Sequence, residues 1–191
     1  MLLTKGKSAV LASIMLVPSA SAFAANSMPE AAEEAGFDEA ANLNDAQISG
    51  VVNVGIEQAV KAAKSAQKGA SNPKLVEYAN AVIRDNERFA AEFNAVLTKA
   101  SIKPEESTTS VSLRAVALRD ASTLIMLKGA EFDRKFLHQH LASEQHLIDL
   151  LDSDLIPSAK NAEVKGYLQA MRGDMIKCVT AGKTLQTEVG E

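Results

Sequence analysis

Apolar residues in this chain recur at intervals of three and four over long stretches. No window of strand length alternates strictly between apolar and polar. That period belongs to helices, so the fold class read from the pattern is all-α. The first helix starts at Asn44, with Gln47 three residues on as its capping-box partner. Ile48, Val52, Gly55, Ala59, Ala62 and Ala66 then form a narrow stripe of mostly small residues, ending near Gly69. A second start is marked by Asn72 as cap and Pro73 at the first helical position, where a missing N–H costs nothing. Its inward seam runs Leu75, Ala79, Val82, Asn86, Phe89, Phe93 and Val96, closing near Ala100 and Pro104. Residues 105–112 read as loop, Leu113 to Lys128 as an amphipathic connecting helix, and Gly129 as the break after it. A further helix carries Phe132, Phe136, Leu137, His140, Leu147, Leu150 and Leu151 up to Pro157. The last, capped by Asn161, carries Val164, Leu168, Met171, Met175, Cys178 and Leu185.

Two hairpins with short turns, joined by one long connection holding its own helix, predict a ferritin-like four-helix bundle over residues 44–188. The halves echo each other. Asn72, Leu75, Tyr78, Ala81, Val82 and Asp85 fall at the same offsets as Asn161, Val164, Tyr167, Ala170, Met171 and Asp174. Internal duplication and shared capping needs both produce such an echo.

The region before the bundle changes the picture of where the protein works. Lys5 and Lys7 precede an apolar run from Ala9 to Val17, then Pro18 and a small-residue stretch ending Ala22-Phe23-Ala24. This is the order of a secretory signal peptide, residues 1–24, with cleavage after Ala24. Its core is too short for a bilayer span, which needs ~20 residues. Residues 25–43 carry Glu30, Glu33, Glu34, Asp38 and Glu39 and no Lys or Arg, the composition of a flexible, solvated lead-in. No later segment is apolar for long enough to cross a membrane, so the expected product is periplasmic, with secretion or outer-membrane association as variants of export.

Charge and cysteine content remove several function classes. The formal net charge is −4, and loss of Lys5 and Lys7 takes it to −6, which leaves no basic footprint for nucleic acid. One cysteine, Cys178, rules out a disulfide scaffold. No Ser-His-Asp arrangement, Gly-rich phosphate loop or zinc spacing occurs, so no catalytic residue is assigned and the expected role is non-catalytic. A Cys-His nucleophile built from Cys178 and His140 would need a cleft, and is the remote alternative of a hydrolase or thiol enzyme.

One constellation carries candidate chemistry. Asn86, Glu144 and Cys178 each fall near the middle of a helix, on or beside its inward face, and form a mid-bundle polar layer. Glu144 lies ~40° around its helix from His140. A buried, unpaired carboxylate is costly, so Glu144 needs a donor, a metal or a proton. Asn86 donating to Glu144 would give a register-setting layer. Alternatively His140 and Glu144, one turn apart, hold one ion with Cys178 as a soft third ligand, a set suited to Zn²⁺ or a copper ion. His138 and His146 point away from His140, toward solvent. Cys178 has apolar neighbours in Met171, Met175 and Val179, which favour an inert thiol.

Four segments carry a resemblance: Leu43 to Ile48, Ala70 to Pro73, Phe132-Asp133 with Phe136, and Leu151 to Asn161. They are similar to a family of exported bacterial proteins known as domain of unknown function 4142, often labelled "predicted outer membrane protein", over about Leu43 to Gln186. The resemblance implies a ferritin-like four-helix fold and no settled biochemical function. Members typically carry Asp-His where Asp85-Asn86 stands, His where Glu144 stands, another His near Cys178, and Glu near Ala59. With those positions changed and no Glu-x-x-His pattern, the resemblance does not carry di-metal oxidase chemistry to this chain. The expected function is that of an exported bundle protein acting by binding, or in envelope and stress maintenance. Its envelope partner is unidentified, and the pattern is compatible with a homo-oligomer. The alternative is a ferritin-like metal binder with a mid-bundle site.

Overall fold

The computed structural model describes residues 43–190; the leader, all of the acidic lead-in but Leu43, and Glu191 lie outside them. Helix α1 (Asp45–Gly69) begins at the expected capping box, Gln47 N donating to Asn44 Oδ1 and Asn44 N to Gln47 Oε1. Helix α2 (Pro73–Ala100) begins at Asn72, whose side chain accepts from Lys74 N. It ends on Ser101, which adopts a left-handed φ of 55° and gives its N–H to Leu97 and Thr98 carbonyls. Helix α3 (Thr108–Leu124) is the crossover. It starts five residues earlier than the periodicity indicates, because Ser107 and Ser110 exchange backbone and hydroxyl hydrogen bonds in a capping box of their own.

Helix α4 (Gly129–Leu150) does not run on to Pro157 as an α-helix. Its ladder widens into one π-helical turn, Leu151–Leu155, followed by the short α5 (Ile156–Ser158). A proline has no N–H and its ring crowds the carbonyl four residues back, so regular geometry cannot pass through Pro157 unchanged. Helix α6 (Ala162–Gly190) follows the cap at Asn161, whose Oδ1 accepts from Glu163 N and Val164 N. All described residues are helical or connecting, and none of these helices is long and apolar enough to cross a membrane.

The hairpins α1–α2 and α4–α6 pack side by side, α2 against α6 and α1 against α4, while α3 lies across α1 and touches α4. Of α3 only Ser110 and Leu124 are fully buried, so this helix is a strap more than a core element. The apolar core divides into two clusters. One gathers Leu75, Ala79, Val82, Phe136 and Leu137; the other gathers Phe89, Phe93, Leu141, Leu168 and Met171. Asn86 falls between them on α2, and His140 between them on α4.

Each hairpin clamps the turn of the other. Asp133, near the start of α4 and buried, accepts from Ser71 N (2.9 Å), Ser71 Oγ (2.6 Å) and Asn72 N (2.9 Å) in the α1–α2 turn. Asp45, at the start of α1, accepts from Lys160 N (2.9 Å) and Asn161 N (3.0 Å), just ahead of α6. These carboxylates quench backbone donors that a helix start leaves free. They give the two hairpins a matched frame.

Candidate functional site

That frame allows the halves to be compared position by position. His140 and Glu144 stand seven and eleven residues after Asp133; at the same distances after Asp45 stand Val52 and Ile56. All four are buried. The bundle therefore accepts plain aliphatic side chains at these positions in one half and carries an imidazole and a carboxyl in the other.

The tyrosines of the echo show the same contrast. Tyr167 donates from its hydroxyl to Phe89 O (2.8 Å) and stacks on Phe93 with ring centres 5.1 Å apart. Counted from the two cap asparagines, the residue matching Phe93 is Gly182. Tyr78 fills that space instead: a Cβ on Gly182 would lie 2.6 Å from its hydroxyl and 2.5 Å from Leu141 Cδ2. The Tyr78 hydroxyl is buried without a hydrogen-bond partner, and its ring meets His140 edge-on at 5.8 Å.

His140 is 5% exposed and its ring lies parallel to Phe136 at 5.4 Å. Its Nε2 is buried with no partner. Burial pushes the imidazole down to about 4, so it is neutral near pH 7. Glu144, 8% exposed, has no hydrogen-bond partner among the described residues, and burial pushes its carboxyl up to about 7. Asn86 does not supply the missing donor. Its Nδ2 turns to Val82 O on its own helix, 3.0 Å away. Cys178 is half-buried. Burial raises its pKa, and the charges of Asp85, Glu144 and Asp174 add to that against an opposing Arg88, so the thiol form is favoured. Among the described residues no group of three or more His, Cys, Asp or Glu side chains is gathered as a metal ion requires. His140, Glu144 and Cys178 share a region of the bundle without forming a ready three-ligand set.

His140 and Glu144 also line a cavity of about 470 Å³ between α1, α3 and α4. Ala59 and Ala62 of the α1 stripe leave the room for it, while the space beside Gly55 is taken by Leu147, whose Cδ2 would lie 2.5 Å from a Cβ there; Leu113, Val116 and Leu124 of α3 wall it on the strap side. Gln139 lines it too. Its Nε2 is committed to Asp120 Oδ1 (3.2 Å) and Thr123 Oγ1 (2.9 Å), which leaves Oε1 buried and unpartnered. Lys61 and Arg114 sit at the margin, paired with Glu57 and Glu106. His138 is exposed and apart from the cavity, whereas the exposed His146 contributes to its lining. Periodicity identified the inward His140 and Glu144 but missed the cavity, Gln139 and Tyr78. The one available signal was the α1 stripe, whose residues are too small to fill a seam between three helices.

The solved structure of CopM in the Cu(II)-bound form shares this fold with a TM-score of 0.59 and 18% sequence identity, covering 77% of this chain and 98% of that one. No curated protein matches the chain significantly. The family model described as Domain of unknown function (DUF4142) matches residues 22–184. The chain belongs to that family, as its helix-start and turn motifs implied.

Proposed function

We propose that this protein is an exported helical-bundle binding protein that acts without covalent chemistry, with the cavity between α1, α3 and α4 as its binding site. The observation that carries the reading is the pair His140, whose Nε2 is buried without a partner, and Glu144, which lines the cavity at 8% exposure with no hydrogen bond among the described residues, where the matched half of the bundle has Val52 and Ile56. Unpaired buried polar groups each cost about 1–3 kcal/mol, and a fold that tolerates aliphatic residues there does not need them. Ligand pockets have this make-up: mostly apolar walls, a few convergent polar atoms, and a volume of roughly 300–1,000 Å³. Filling the cavity tests the reading. Ala59→Phe should abolish calorimetric binding of small phenylalkyl probes while leaving the helical circular-dichroism spectrum intact. Wild-type protein that binds no such probe, or a variant that binds them unchanged, would overturn it.

A second reading, binding of a Zn²⁺ or copper ion, is favoured by the free Nε2 of His140 one helical turn from Glu144 and by the fold shared with CopM in its Cu(II)-bound form. His140 and Glu144 would be two of the ligands, and Cys178 would have to join them by rearrangement. Binding would stabilise the fold by about 2.7 kcal/mol at a hundredfold excess over the dissociation constant. Melts with Cu²⁺ and Zn²⁺ against a chelator decide: the metal reading requires a shift lost in His140→Ala and kept in His138→Ala. No shift with either ion removes it.

A further inference from the structure

The buried polar atoms left without a protein partner beside the cavity have a common chemical sense. Gln139 Oε1 can only accept a hydrogen bond, and it cannot exchange places with its amide nitrogen, which is held by Asp120 and Thr123. A neutral His140 accepts at Nε2 when its proton sits on Nδ1. An ionised Glu144 carboxyl offers acceptors alone, and no donor of the protein reaches it among the described residues. Asp120 adds a second carboxylate to the lining. The two cations at the margin, Lys61 and Arg114, are already engaged by Glu57 and Glu106 on the outer surface.

We propose that the cavity binds an amphipathic primary amine, its ammonium group set against the Glu144 carboxylate and its apolar body along Leu113, Val116 and Leu147. An ammonium carries donors and no acceptor, which matches an ionised carboxylate that accepts and that no donor of the protein reaches among the described residues. Its charge supplies the partner that a buried carboxylate lacks, and charge-assisted hydrogen bonds are about twice as strong as neutral ones. An anionic guest would face Glu144 and Asp120, and an alcohol would bring one donor and no charge to Glu144. This proposal rests on the cavity being a binding site, and adds what the site selects.

Calorimetric titration with three guests of one shape tests it: 4-phenylbutylamine, 4-phenylbutanol and 4-phenylbutanoate, in chelator-containing buffer. The amine should bind about tenfold or more tightly than the alcohol, and the acid most weakly. Glu144→Gln should bring the amine to within about twofold of the alcohol. An alcohol or acid that binds as tightly as the amine, or an amine preference that survives Glu144→Gln, would overturn the proposal while the cavity stands as a binding site. Failure of all three guests to bind would remove the binding reading and this proposal with it.

Discussion

His140 and Glu144 sit in one environment that pushes them in opposite directions, and each resists the charge it would carry in water. Glu144 rises from an ordinary 4.5 to about 7, so the folded state holds a proton that the unfolded chain releases, and stability drains away as pH climbs through that window. His140 falls from 6.5 to about 4, so the unfolded chain takes up a proton that the folded state refuses, and stability drains away as pH drops through that window. Between about 4.5 and 6.5 the two slopes oppose each other, and the intact protein should show a nearly flat profile there from this pair. Removing one partner exposes the other. In metal-free buffer, urea unfolding of Glu144→Gln should give stability that rises from pH 4 to 6.5, and His140→Gln stability that falls from pH 4.5 to 7, each by roughly 3 kcal/mol. Profiles of the same slope in both variants would contradict the assignment. At this scale the sequence told which side chains face inward and not what they touch. Asn86 is inward as its spacing indicates, yet its amide takes the carbonyl four residues back, a rotamer choice that periodicity does not encode.

The elements were legible where their ends carry local chemistry and less so where they do not. Asn44 with Gln47, Asn72 with Pro73, and Asn161 mark helix starts in the sequence because cap and partner lie within three residues of each other. The start of α3 was hidden because Ser107 and Ser110 stand in a run of hydroxyl residues where any could cap. The turn clamps were invisible: Asp133 reaches a turn sixty residues away in the chain, and nothing local distinguishes it from a surface acid. Their unequal burial gives a graded expectation. Asp133→Ala should cost about 2–4 kcal/mol, since it removes a buried carboxylate that holds two backbone N–H groups and a hydroxyl of the turn. Asp45→Ala, with two bonds at a more open site, should cost about 1 kcal/mol. Chemical denaturation measures both, and equal losses would show that the two clamps do not differ as their burial implies.

Across the whole molecule, a frame of two alike hairpins carries one altered half. The ordinary hairpin presents Val52, Ile56 and Phe93, on which Tyr167 of the other hairpin stacks; that other hairpin has His140, Glu144 and Gly182, against which Tyr78 packs with its hydroxyl unpartnered, beside a cavity floored by small α1 residues. The bundle itself was readable from hydrophobic periods, because four long amphipathic helices with short turns have few ways to bury their faces. The cavity was not, because it arises from how α3 lies across α1 and α4. Export is the expectation of the leader motif: intact-mass analysis of the protein recovered from its native host should find a chain starting at Ala25 in the periplasmic fraction, whereas a retained Met1 in the cytoplasm would contradict it.

The central claim is that His140 and Glu144 serve binding and not folding, and the ordinary half of the bundle prescribes its test. The double variant His140→Val, Glu144→Ile copies what stands at Val52 and Ile56. Its unfolding free energy, measured by urea denaturation near pH 7, should equal or exceed the parent's, by up to about 4 kcal/mol, while binding of 4-phenylbutylamine is lost. A double variant less stable than the parent by about 2 kcal/mol or more would mean that the pair holds the fold together, and the claim would fail.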